Sequence, residues 1–151
     1  MYAIDTNLLV YAHNADSEFH KLSKTFIEKV MNERDEDGQL TVCLPSQVII
    51  EFVNVVTRQS LINPLSISEV IEVINDYLKT GIRIVSHNTT QIQTFLEILS
   101  KTSTRKKNFD AALAATLKDN QIQGIYTVNI NDFNDFEFLD VVNPLKSLRG
   151  D

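Results

Sequence analysis

The feature that most constrains this chain is an alternation. Short β-branched, apolar runs are separated by longer stretches whose apolar residues recur at helical spacing. "YAI" (2–4), "LTVCL" (40–44), "IRIVS" (82–86) and "GIYTV" (124–128) read as strands. Between them, Leu8 to Ala12 begins a helix for which Asp5, Thr6 and Asn7 supply capping side chains. Leu22, Phe26, Ile27 and Val30 mark a second helix over 19–31. Pro45 suits the first turn of a helix running to about Ser60. Ile67, Val70, Ile71, Ile74 and Leu78 form a helix capped by Ser66 or Ser68 and stopped at Gly81. Two more follow: 89–101, with Ile92, Phe95, Leu96 and Leu99 on one face, and the Ala-rich "FDAALAATLKDN" (109–120). "DVVNP" (140–144) reads as a last edge strand closed by Pro144. Strands separated by helices must pair in parallel through right-handed crossovers, so the expectation is an α/β domain over residues 1–151, with helices on both faces of a mostly parallel sheet.

Composition excludes several function classes. Four glycines, at 38, 81, 124 and 150, leave no Gly-rich phosphate loop. Tyr2 to Ala12 is too short to span a bilayer and lacks a positive flank, so the expectation is a cytoplasmic protein with no membrane contact. The single cysteine, Cys43, sits among apolar residues and reads as a small buried hydrophobe. A formal net charge of −6 argues against generic binding of nucleic acid, yet the sign varies locally. "NERDEDGQ" (32–39) is an acidic turn, while "KTSTRKK" (101–107) carries Lys101, Arg105, Lys106 and Lys107 and no acid.

The informative acids lie at the predicted carboxyl edge of the sheet, where open parallel sheets bind ligands. Asp5 follows the first strand. Glu51 falls on a narrow polar stripe, Gln47, Glu51, Asn54 and Arg58, of a helix that starts at the end of its own strand. Asp110 opens the Ala-rich helix, and Asn129 and Asp132 follow the strand at 125–128. Singly, each is explained as a cap, a turn or a solvated position. Together they place four carboxylates on one edge. Two unit charges about 5 Å apart repel by roughly 3 kcal/mol at an effective dielectric of 20, so such a cluster must protonate or bind a cation. His13, His20 and His87 are scattered, and an oxygen-only donor set selects a hard ion such as Mg²⁺ or Mn²⁺. Such ions activate water against phosphodiesters, which makes hydrolysis of nucleic acid the chemistry to test.

"AIDTN", "LPSQVIIEF", "NFDAALAAT" and "YTVNINDF" resemble, in order and spacing, the four acidic blocks of PIN-domain nucleases, in particular the VapC-like toxins of prokaryotic toxin–antitoxin pairs. The resemblance spans about residues 3 to 133. It implies a three-layer sandwich around a parallel sheet, Mg²⁺ or Mn²⁺ at the acids, and endonucleolytic cleavage of RNA. It also implies that Asp5, Glu51 and Asp110 are the principal metal ligands and Asp132 the fourth, with Asn129 and either Thr6 or Asn7 orienting ligands or water. Where some variants carry an aspartate two residues after the threonine of the last block, this chain has Asn129. Arg105, Lys106 and Lys107, just ahead of Asp110, and Arg58 are the candidate RNA contacts. The partners expected are RNA, an antitoxin protein and a second copy of the chain, since the helices at 66–80 and 90–100 are more apolar than one sheet face requires. Two divalent ions would bring the formal charge from −6 to −2. Competing readings are an inactive PIN-type scaffold, a housekeeping RNA-processing nuclease, and a phosphatase of the haloacid-dehalogenase type. The last requires a second aspartate where this chain has Asn7.

Overall fold

The computed structural model describes residues 1–102 and 108–150. Five strands, β1 (Tyr2–Ile4), β2 (Val42–Pro45), β3 (Arg83–Val85), β4 (Gly124–Tyr126) and β5 (Asp140–Val142), form one sheet in the order β3-β2-β1-β4-β5. Every pairing is parallel, with Ala3 opposite Cys43 on one side and Ile125 on the other. The described helices are α1 (Thr6–His13), α2 (His20–Val30), α3 (Ser46–Val56), α4 (Ile67–Lys79), α5 (Gln91–Lys101), α6 (Asn108–Asp119) and α7 (Pro144–Arg149). A short 3-10 turn covers Ile130–Asp132.

The chain moves from β1 through β2 to β3 in one direction, then jumps back across the sheet to β4. With right-handed crossovers this reversal puts the connecting helices on opposite faces. α1 packs on α2 and α3, and α7 on α2, while α5 and α6 pack together with α6 against β2. The central strands are therefore covered twice: Ala3, Ile4, Cys43 and Ile125 have no exposed surface, and Val42 and Leu44 have 1% each. Cys43 lies in that layer, and its burial pushes the thiol up to about 12, as befits an inert packing residue.

The structure departs from the sequence-based expectations at four places. Pro45 is not in the first turn of α3; it ends β2 and precedes the helix in extended conformation. α3 stops at Val56 rather than near Ser60, because the Val56 carbonyl accepts from the Leu65 N–H, which blocks the bond the next turn would need. In α5 the buried positions are Thr94 and Ile98, whereas Ile92 and Leu96 are 63% and 56% exposed. Thr94 earns its place by polarity: its hydroxyl and that of Thr90 donate to the two Asp119 oxygens, at 2.7 and 2.8 Å, joining α5 to α6. Finally, Pro144 does not close the last strand but opens α7 at its first position, with Asn143 Oδ1 accepting from the Leu145 N–H.

Candidate active site

Because α3 leaves the carboxyl end of β2, its first turns stay at that edge of the sheet. α6 runs back toward the start of β4, so its N-terminus, with Asp110 in the first turn, lies at the same edge. Asp5 follows β1 and Thr127 follows β4, on either side of the point where the order of the strands reverses. That is where an open parallel sheet leaves a crevice for a ligand.

Asp5 is the N-cap of α1 and is held in three ways. Its Oδ1 accepts the Thr6 N–H at 2.8 Å, and its Oδ2 accepts the Thr127 hydroxyl at 2.7 Å and the Asn7 side-chain amide at 3.0 Å. Asn7 also reaches Thr127 Oγ1 at 3.1 Å, so the two strand ends are clamped across the crevice. Thr6 faces the other way and donates its hydroxyl to Glu51 Oε2 at 2.8 Å. Gln47, one turn earlier on α3, donates to Glu51 Oε1 at 3.4 Å and to the Phe109 carbonyl at 3.3 Å, one residue before Asp110. One chain of contacts thus runs from Thr127 through Asp5, Thr6, Glu51 and Gln47 to the first turn of α6.

Asp5 is only 8% exposed. Burial pushes its pKa up from the usual carboxylate range, the Thr127 hydroxyl and the Thr6 N–H pull it back, and the negative charges of Glu51 and Asp132 push it further up. Asp132 is half-buried in the 3-10 turn, close enough for that repulsion to reach Asp5. An acid that is desolvated and faces two more acids is stabilised as the anion by a cation among them. The donors are all oxygens, which fits a hard divalent ion. Among the described residues, no three His, Cys, Asp or Glu side chains already converge into one ligand shell.

Most of the expected site residues thus meet at one edge. Arg58 lies beyond the end of α3, exposed and off the stripe that carries Glu51. Asn129 joins the site through its backbone, whose N–H donates to Thr127 Oγ1 at 3.0 Å. Arg105, Lys106 and Lys107 lie outside the described residues. Two residues of this hydrogen-bond network were given no role by the sequence reading. Thr127 is fully buried and is the hub of the crevice; the signal was its position, the first hydroxyl after the apolar run of β4. Gln47 stood on the right stripe but carries no charge to attract notice.

A chain of this pattern has recognisable relatives. It is 30% identical over 149 residues to ribonuclease VapC24 of Mycobacterium tuberculosis, covering 97% of this chain and 99% of that protein. Among solved structures, Mycobacterium tuberculosis VapC20, described as a sarcin–ricin loop cleaving toxin, superposes with a TM-score of 0.67 at 15% identity, over 90% of this chain and 95% of that one. FitAcB from Neisseria gonorrhoeae superposes with a TM-score of 0.63 at 19% identity, over 95% and 98%. These two establish likeness of fold. The PIN domain family model matches residues 2–139, nearly the whole chain, and the chain therefore belongs to the PIN domain family.

Proposed function

We propose that this protein is an endoribonuclease that hydrolyses RNA phosphodiesters with Mg²⁺ or Mn²⁺, and that it acts as the toxin of a toxin–antitoxin pair in the cytoplasm. The observation that carries the reading is Asp5, buried at the crevice between β1 and β4, hydrogen-bonded by Thr127 and Asn7 and repelled by Glu51 and Asp132. Likeness to a ribonuclease over almost the full chain supports the chemistry, and the fold shared with VapC20, itself described as a toxin, supports the biological role.

Asp5, Glu51, Asp110 and Asp132 are the residues to hold the ion. Bound among them, the ion would supply a water of lowered pKa and positive charge for the leaving oxygen. The chain's own contribution is orientation. Three hydrogen bonds fix the Asp5 carboxylate, and Thr6 fixes one oxygen of Glu51, so both acids lose little freedom on binding a cation or a phosphate. Asn129, exposed at the lip, would orient substrate or water without adding negative charge. Arg105, Lys106 and Lys107 precede Asp110 by three to five positions and are our candidates for phosphates beside the scissile bond; Arg58 is a more distant one.

The partners proposed are an antitoxin seated over the acidic edge and a second copy of the chain. Ile67 and Ile71 on α4 are 60% and 52% exposed, and with Ile92 and Leu96 on α5 they form apolar surface before and after edge strand β3. Among the described residues no helix is long and apolar enough to cross a membrane.

The test is incubation of total RNA with the protein and Mg²⁺ or Mn²⁺, with mapping of the cut ends. Metal-dependent cuts at a restricted set of sites, abolished by Asp5→Asn, support the reading. Absence of cleavage under both metals, or full activity of Asp5→Asn, refutes it.

A further inference from the structure

Beside the acids, the turn after β4 and the first turn of α7 enclose an open cleft of about 620 Å³. Asn129, Asn131 and Asp132 lie on one wall, and Asn143 and Lys146 on the other. That is within the range of ligand clefts, room enough for a nucleotide and its flanking phosphates. Asp132, one of the proposed metal ligands, is at its edge, so the cleft is continuous with the reaction centre.

We infer that this cleft holds single-stranded RNA on one side of the scissile bond, with Lys146 taking a phosphate and the Asn129 amide meeting a base edge. The inference rests on the ribonuclease reading above and adds the path of the substrate. A protein of net charge −6 that gathers carboxylates at its reaction edge repels the polyanion it must cut, so cations beside the acids have to offset that repulsion. Lys146 is such a cation. It is exposed, and the ion pairs among the described residues are Lys24–Glu28, Lys29–Glu33 and Lys79–Asp76, none of which involves it. It therefore breaks no carboxylate contact when it meets a phosphate. Its neighbour Arg149 is committed elsewhere, with its guanidinium 5.3 Å from the centre of the Phe19 ring. The exposed Asn129 amide offers a donor and an acceptor without charge, suited to the edge of an unstacked base, which is how single-stranded RNA is read. Asn143 Oδ1 caps α7 and fixes the wall that carries Lys146.

The deciding experiment compares wild type, Lys146→Glu and Lys146→Arg on a fluorescent single-stranded RNA of mixed sequence. Cleavage kinetics in Mn²⁺ are measured at two salt concentrations a decade apart, with binding read in parallel by anisotropy. Lys146 is exposed and outside the core, so all three should fold alike. Losing one phosphate contact lowers the salt slope by about 0.7 for a single strand, so the KM gap between Lys146→Glu and wild type should widen about fivefold at low salt. The kcat should hold, and Lys146→Arg should behave as wild type. Equal KM and equal slope for wild type and Lys146→Glu, with cleavage intact, overturn the cleft while leaving the ribonuclease reading in place. Wild type that binds RNA without cutting it refutes that reading, and the anisotropy slopes still decide the cleft. Wild type that neither binds nor cuts RNA overturns both.

Discussion

Replacing Thr127 by Val isolates the contact on which the crevice depends. The side chain has no exposed surface, and its hydroxyl donates to the Asp5 carboxylate at 2.7 Å while accepting from the Asn129 N–H and the Asn7 amide at 3.0 and 3.1 Å. Valine keeps the shape and removes all three. A hydrogen bond to a charged group contributes about 1.5–3 kcal/mol. Of the two donors released, the Asn7 amide keeps Asp5 Oδ2 as its acceptor, and Asn129 is exposed, so water can serve its N–H. The predicted loss of stability near neutral pH is therefore about 2–3 kcal/mol, dominated by the Asp5 bond. Its pH dependence has a definite sign. The hydroxyl favours the ionised form of Asp5, so its contribution is present where Asp5 is charged and fades as pH falls through the raised Asp5 pKa. Urea denaturation of wild type, Thr127→Val and Thr127→Ser at neutral pH and near pH 4 measures this. Serine retains the hydroxyl and should lose only what its missing methyl group supplied, about 1 kcal/mol. A valine variant within 0.5 kcal/mol of wild type at neutral pH, or a gap that grows on acidification, would refute the reasoning.

Three further outcomes are expected. Asp5→Asn should remove most of the thermal stabilisation that Mn²⁺ gives wild type and lower cleavage by at least about 100-fold, read by melting curves with and without metal and by RNA cleavage. Since burial and the neighbouring acids raise the Asp5 pKa, apparent metal affinity should fall on acidification at a pH above the ordinary aspartate range, and calorimetric titration from pH 7 to 4.5 should show it. Gly124→Ala should destabilise by about 1–3 kcal/mol, because a Cβ there would lie 2.5 Å from the Tyr2 ring and 2.6 Å from the Asp140 carbonyl oxygen, and the backbone cannot yield; chemical denaturation checks it.

The sequence by itself determined the alternation of strands and helices, the parallel sheet that follows from it, and the edge on which the acids fall. Those are consequences of local periodicity and of the handedness of crossovers, and both are carried by neighbouring residues. The positions of Asp5, Glu51 and Asp110 at that edge were legible because a strand end, the second turn of one helix and the first turn of another locate them without knowledge of packing. What only the tertiary structure decided is whatever depends on partners distant along the chain. The Thr127 hydroxyl acquires its role from Asp5, 122 positions away, a partner that its place after β4 does not reveal. α3 ends before Arg58 because Leu65 returns to take the Val56 carbonyl, and the Thr94 face of α5 is buried because Asp119 on α6 satisfies it. α7 was hidden for another reason: its proline reads as a terminator or as a first helical residue, and only the Asn143 cap and the packing of Leu145 into the core choose between them.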